Sequence, residues 1–156
     1  MRLIVAFALA SLPVAALAQN AASEAPAYCS ELKRVAALAA TKERFASIAG
    51  KPREGNFLET TLPLTGWRDC ALYGAATYTC DSREHDSAEE AERAEAELAW
   101  QIKSCLGEGW AIATARSSAS YVVLHDVMRP ISITLSTDET ADKKHIVHLI
   151  MFVRRN

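Results

Sequence analysis

The spacing of apolar and polar residues changes along the chain, and each spacing predicts a different element. From Tyr28 onward, apolar residues recur every three or four positions, which is typical of an amphipathic helix. No glycine occurs before Gly50, where a segment rich in glycine and proline begins. The pattern predicts a first helix that starts near Tyr28 and bends near Thr41, followed by a loop over 51–66. Its predicted buried face is Leu32, Val35, Ala36 and Ala39.

A second helical pattern begins at a capping box. Ser87 is followed three residues later by Glu90, so the serine hydroxyl can accept from the Glu90 amide. Gly107 supplies a residue that tolerates the left-handed conformation in which helices often end. The sequence therefore predicts a helix between Ser87 and Gly107. Its predicted apolar stripe is Ala91, Ala94, Leu98, Ile102 and Cys105.

Strict alternation replaces the helical period in two short segments between the helices. Residues 67–73 and 77–81 flank Gly74, Ala75 and Ala76, which is typical of a β-hairpin with a three-residue loop. In that register Cys70 lies opposite Cys80, and Leu72 lies opposite Tyr78. Both pairs then point to the same face of the hairpin.

Three or four more strands follow the second helix, over 110–116, 121–128, 131–136 and 145–155. The third of these has one apolar and one polar face, whereas the last is apolar on both. Its two rows are Ile146, Ile150 and Phe152 on one face, and Val147, Leu149, Met151 and Val153 on the other. Two apolar faces predict either a central strand or a strand that binds a partner.

This order of elements predicts an α+β fold over residues 28–156 as a single domain: an antiparallel sheet, made of the hairpin plus three or four C-terminal strands, with two helices packed on one face. With both helices on one face, the row of Val147, Leu149, Met151 and Val153 is expected to lack cover and to form a partner or homodimer surface. Trp100 lies about 180° around the second helix from its apolar stripe. It is either a contact anchor or a residue covered by the N-terminal segment or the 51–66 loop.

Four cysteines predict two disulfides, since their number is even and none forms a closely spaced pair suited to zinc. The second helix is about 27 Å long from Ser87 to Cys105, and disulfides require α-carbons within about 7 Å. We therefore expect Cys29 to pair with Cys105 and Cys70 with Cys80. The alternative, in which Cys29 pairs with Cys70 and Cys80 with Cys105, stays open.

The N-terminus has the composition of a secretory signal peptide over residues 1–18. A basic start precedes about fifteen apolar residues, and Ala16-Leu17-Ala18 matches the small-residue cleavage pattern. The run is shorter than the roughly 20 residues of a spanning helix. We expect a flexible leader over 19–27, a periplasmic or extracellular location, and no transmembrane segment after cleavage.

Charge and composition exclude few functions. Without residues 1–18 the chain has 16 basic and 19 acidic residues, a formal charge of −3. A weakly acidic domain is a poor nucleic-acid binder, so no nucleic-acid partner is expected. The serines at 117, 118 and 120 lack a nucleophile-elbow motif, and the glutamates of the second helix, including Glu95, are interpreted as a solvated face.

The histidines are the remaining candidates for chemistry. His85-Asp86 precedes a helix, where Asp86 is explained by the helix dipole. His145 and His148 point to opposite faces of a strand, with His145 at a solvated edge and His148 hydrogen-bonded and partly buried. His125 and Asp126 would serve a small hydrolase if they shared a concave pocket with a third polar group.

These observations favour an exported, disulfide-stabilised, non-catalytic binding domain of the bacterial periplasm or cell envelope. The expected partner is a protein or an envelope component, and inhibition of a secreted hydrolase is one concrete form of this function. No cofactor and no metal are expected. The alternative is the hydrolase that uses His125 and Asp126.

Overall fold

A computed structural model of the chain describes residues 25–114 and 121–154. These residues form two α-helices and one antiparallel sheet of eight strands, which confirms the predicted α+β fold with two disulfides. The helices are α1 (Cys29–Ala39) and α2 (Ala88–Leu106). The strands are β1 (Ala49–Pro52), β2 (Phe57–Thr60), β3 (Arg68–Tyr73), β4 (Thr77–Asp81), β5 (Trp110–Thr114), β6 (Tyr121–Asp126), β7 (Ile131–Glu139) and β8 (His145–Val153).

The sheet is built from two copies of one topology. A helix followed by a four-stranded antiparallel meander occurs twice, as α1 with β1–β4 and as α2 with β5–β8. The strand order is β1-β2-β3-β4-β8-β7-β6-β5, so the last strands of the two meanders pair with each other at the centre. This repeat lies in the arrangement of elements and is not visible as a repeated amino-acid pattern.

Helix α1 buries the predicted face but is shorter than predicted. Leu32, Val35, Ala36 and Ala39 are buried, whereas the helix ends at Ala39, before the expected bend at Thr41. The Thr41 hydroxyl donates to the Leu38 carbonyl at 2.8 Å, and a 3₁₀ turn follows over Ala46–Ile48. Phe45 enters the core from this connection, 6.0 Å from the Tyr78 ring. Phe45 therefore packs from a separate connection and not from a continuation of α1.

The capping of α2 is confirmed, with one difference in detail. The Ser87 hydroxyl accepts from the Glu90 amide at 3.2 Å, and Gly107 ends the helix with φ of +89°. In a capping box the Glu90 carboxylate would accept from the Ser87 amide. Here it accepts from the amide of the preceding residue, Asp86, at 3.1 Å. Both ends of the helix are therefore set by the residues that the sequence indicated.

The buried stripe of α2 is rotated relative to the prediction. It consists of Ala91, Glu95, Ala99, Ile102 and Cys105, while Ala94 and Leu98 are only half-buried. Glu95 is therefore not part of a solvated face: it is 3% exposed, and its carboxylate accepts from the Val122 amide at 3.1 Å. Burial raises the pKa of Glu95 above its ordinary value.

The 51–66 segment is not a loop throughout, since it contains the end of β1 and all of β2. These strands have four residues each, and exposure alternates along β2 but not along β1. Gly55 supplies the turn with φ of +69°. Such short strands beside Pro52 lack the periodicity from which a strand can be predicted, which explains the error.

Both predicted disulfides are present. Cys29 and Cys105 join the start of α1 to the end of α2, with α-carbons 5.2 Å apart. Cys70 and Cys80 lie opposite each other on β3 and β4, with α-carbons 4.0 Å apart. The predicted opposition of Leu72 and Tyr78 is also confirmed.

The prediction for the last strand is wrong about which face is covered. Strand β8 lies between β4 and β7, and α1 and α2 both contact it. Val147, Leu149 and Met151 are fully buried beneath the helices, and Val153 is half-buried beside the same core. This row is core because the helices pack against it. The face opposite the helices carries Ile146, His148, Ile150 and Phe152.

Two truncations on α2 distinguish the observed stripe from the predicted one. Ile102→Ala removes a fully buried side chain, so we expect a loss of about 2–5 kcal/mol in the free energy of unfolding. Leu98→Ala is expected to cost less, since Leu98 is half-buried. Urea denaturation of both variants with the disulfides intact measures the difference. A larger loss of stability for Leu98→Ala than for Ile102→Ala would contradict the observed stripe and support the predicted one.

Candidate functional site

The sheet face opposite the helices, here called the open face, is covered by neither described helix. One row of residues crosses it from β2 to β5, and the strand register defines that row: Phe57, Tyr73, Thr77, Phe152, Ser132, His125 and Ala111. Phe57 and Tyr73 are 41% and 49% exposed, and their ring centroids lie 5.3 Å apart. Paired exposed aromatic rings are typical of contact surfaces.

A groove of about 510 Å³ lies on this face beside the aromatic pair. Strands β2, β3, β4 and β8 and the β1–β2 turn contribute its lining. The lining residues are Arg53, Glu54, Gly55, Phe57, Asp69, Ala71, Thr79, Asp81 and His148. The groove therefore combines an aromatic wall with a polar floor.

The polar floor is a chain of three hydrogen-bonded side chains. His148 on β8 pairs with Asp81 on β4, and Thr79 lies two residues earlier on the same face of β4. The His148 ring contacts Thr79 Oγ1 through Nε2 at 3.0 Å and Asp81 Oδ1 through Nδ1 at 2.5 Å. The prediction that His148 is hydrogen-bonded and partly buried is confirmed. Its two partners were not predicted.

The carboxylate partner controls the charge of His148. Its hydrogen bond to Asp81 raises the pKa of His148 above the ordinary value of 6.5, burial opposes that shift, and the charges of Asp81 and Asp138 add to it. The protonated imidazolium is thus favoured relative to a free histidine. When protonated, the ring donates to both neighbours.

A hydroxyl, an imidazole and a carboxylate in this order also occur in acyl-transfer enzymes. That chemistry further requires donors aimed at a developing oxyanion. Thr79 lies in the interior of the sheet, paired with Ala71 on one side and with Ile150 on the other. Backbone amides at such positions belong to the ladders of the sheet.

Carboxylates outnumber cations in and beside the groove. Glu54, Asp69 and Asp81 line it, against Arg53 and His148. Arg53 and Asp69 form an ion pair at 3.8 Å, and both are substantially exposed. Such a surface favours a ligand that carries positive charge.

The predicted hydrolase pair is not brought together. His125 lies on the open face, whereas Asp126 points to the opposite side, because successive strand residues alternate. Asp126 is 4% exposed, and its carboxylate accepts from the Arg129 side chain at 2.6 Å and from the Met128 and Arg129 amides at 2.9 Å each. It stabilises the turn after β6, so the His125–Asp126 hydrolase interpretation is wrong.

The other predicted positions are separated from the groove. Asp86 forms an ion pair with Lys144 at 2.6 Å, which lowers the pKa of Asp86. His85 is buried on the helix side. Trp100 is 64% exposed on α2, so no described segment covers it, whereas Trp110 is buried. The serines at 117, 118 and 120, residues 1–18 and most of the predicted leader lie outside the described residues.

Two further features of the described residues bear on function. Neither α1 nor α2 combines the length and apolar character that a membrane-crossing helix requires. Residues 25–114 and 121–154 contain no cluster of three or more potential metal ligands.

Comparisons with known proteins return no match. No protein-family profile, no curated protein sequence and no solved structure matches the chain.

The coupling between His148 and Asp81 can be measured by NMR. We expect the pKa of His148 to lie above 6.5 in the native protein, and Asp81→Asn to lower it, because the hydrogen-bonded anion is lost while burial remains. Asp142→Asn, in the exposed β7–β8 turn, is the matched control and should leave the titration unchanged. An unaltered His148 titration in Asp81→Asn would refute the coupling.

Proposed function

We propose that the protein is an exported, disulfide-stabilised binding domain of the bacterial periplasm or cell envelope, and that the open face binds a protein partner. The observation that carries this proposal is the exposed Phe57–Tyr73 pair beside the groove, on a face that neither helix covers. Aromatic residues in such positions supply a large contact area at low conformational cost.

The chemistry of the groove specifies the kind of partner. Its aromatic wall suits an apolar side chain, and its excess of carboxylates suits a lysine or arginine. The proposed partner segment therefore presents an apolar residue next to a basic one. A loop beside the active site of a secreted hydrolase and a segment of an envelope protein both fit this chemistry.

The covalent framework supports a preorganised surface. The Cys70–Cys80 disulfide joins the two strands that contribute Ala71, Thr79 and Asp81 to the groove. Its sulfurs lie on the helix side, because Cys80 is fully buried between two open-face residues. A rigid groove loses little conformational freedom on binding, which favours affinity.

Export is supported by the signal-peptide composition of residues 1–18 and by the two disulfides, which persist in oxidising compartments. We expect the cellular protein to begin at Gln19 and to have a mass four hydrogens below that of its reduced chain. Mass spectrometry of the intact protein before and after reduction measures both. Recovery of the uncut chain, or of four free thiols, would contradict export.

The binding surface is tested by paired substitutions. Phe57→Ala with Tyr73→Ala should lower the affinity for the partner at least tenfold, about 1.4 kcal/mol, since both rings leave the contact surface. The partner is first captured from periplasmic extract with the wild-type protein, identified and purified. Calorimetry with the purified partner then gives the affinities.

Trp100→Ala is the matched control, because Trp100 is an equally large exposed ring on the helix side. It should bind the partner like the wild type. If Trp100→Ala abolishes binding and the double variant does not, the contact lies on α2 and the open-face proposal fails.

A further inference from the structure

A second cavity lies on the helix side of the sheet, away from the groove on the open face. It has a volume of about 280 Å³ and is enclosed by the start of α1, the middle of α2, the segment before β3 and the segment after β4. Its lining includes Tyr28, Trp67, Arg83, His85, Leu98 and Gln101. Its volume approaches the range of small-molecule sites.

The polar groups on the α2 side of this cavity satisfy one another. The Tyr28 hydroxyl donates to Gln101 Oε1 at 3.0 Å, and Gln101 Nε2 donates to Glu97 Oε1 at 2.9 Å. Burial, and secondarily the charge of Glu97, raises the pKa of Tyr28 to about 12, so the phenol remains a neutral donor. These three side chains therefore find hydrogen-bond partners in one another without a ligand.

The opposite side of the cavity presents His85 and Arg83. His85 is 8% exposed, and its Nε2 has no hydrogen-bond partner among residues 25–114 and 121–154. A buried polar atom in that state destabilises the fold unless a ligand or a water satisfies it. Arg83 lines the same cavity and has no carboxylate within 4 Å among the described residues. Both groups can donate to an anion.

The lining also limits the charge and shape of the ligand. Burial and the nearby Arg83 lower the pKa of His85, which disfavours the charged imidazolium, whereas the Arg83 guanidinium carries a full positive charge. The carboxylate of Glu97 disfavours a dianion such as a phosphate monoester. Trp67, packed edge-on against Tyr28 with centroids 5.8 Å apart, and Leu98 provide an apolar wall.

We propose that this cavity binds a small organic monocarboxylate, with its carboxylate at Arg83 and His85 and its apolar body against Trp67 and Leu98. A guanidinium and a neutral imidazole donor are both suited to a carboxylate. The site is separate from the open face, so it holds whether or not the open face binds a protein.

The probe is 4-phenylbutyrate, titrated into the disulfide-bonded protein at pH 7 while backbone and indole N–H signals are followed by NMR. We expect saturable shifts at the Trp67 indole and at Gln101. The neutral analogue 4-phenylbutanol should bind at least tenfold more weakly, because it lacks the charge that Arg83 recognises.

Arg83→Gln should weaken binding of 4-phenylbutyrate at least tenfold, whereas Arg93→Gln, on the exposed face of α2, should not change it. Ala94→Leu fills the cavity without altering charge and should also abolish binding, which provides a second variant if Arg83→Gln disturbs the fold. Equal affinity for acid and alcohol would overturn the carboxylate assignment. Two results would overturn the site itself. One is the absence of saturable shifts at the cavity up to about 10 mM 4-phenylbutyrate; the other is binding that neither Arg83→Gln nor Ala94→Leu affects.

Discussion

The pairing of β8 with β4 on one side and β7 on the other is the interaction on which the rest of the structure depends. Nine residues of β8 are in register with β7, and five are in register with β4. A slip of one residue would move every side chain of β8 to the other face. Leu149 would leave the core, and His148 would enter it without Asp81. One register therefore determines both the packing beneath the helices and the polar floor of the groove.

The two disulfides add covalent links to elements that flank β8. Cys29–Cys105 closes a long loop and holds α1 against α2, the pair that covers the central strands. Cys70–Cys80 joins β3 to β4 next to the irregular register near Asp69, whose φ of +45° marks a local distortion. The first link maintains the helix layer. The second maintains the strands from which the groove is built.

Local signals predicted what depends on local chemistry. The cap at Ser87, the stop at Gly107 and the hairpin register at Cys70 each follow from nearby residues, and the structure confirms them. The face on which Val147 and Leu149 lie relative to the helices depends on tertiary packing, and strand periodicity alone does not contain it. The same reason explains Glu95, whose buried carboxylate is satisfied by an amide 27 residues away.

The candidate site was predictable only in part, because its members are distant in sequence. The state of His148 followed from its position on a strand, whereas its partners on β4 lie 67 and 69 residues away. The pairing of β4 with β8 is a contact between the two halves of the topological repeat, and no short motif specifies it. A search for alternating strands with a carboxylate and a hydroxyl two residues apart would have proposed Thr79 and Asp81, without identifying the histidine.

Three titrating groups make the stability of the fold depend on pH. As pH rises, Asp126 stabilises the fold more, whereas Glu95 and His148 stabilise it less. Hydrogen bonds from Arg129 and two backbone amides outweigh burial and lower the pKa of Asp126. The contribution of Asp126 to folding stability is therefore present above pH 3.8 and is lost as pH falls through its lower folded pKa. Glu95 and His148 have raised pKa values. The penalty for charged Glu95 therefore develops as pH rises above 4.5, and the contribution of His148 is complete below 6.5 and is lost as pH rises through its folded value. Together these three groups favour the folded state most between the pH at which Asp126 becomes charged and the pH at which Glu95 and His148 lose their protons.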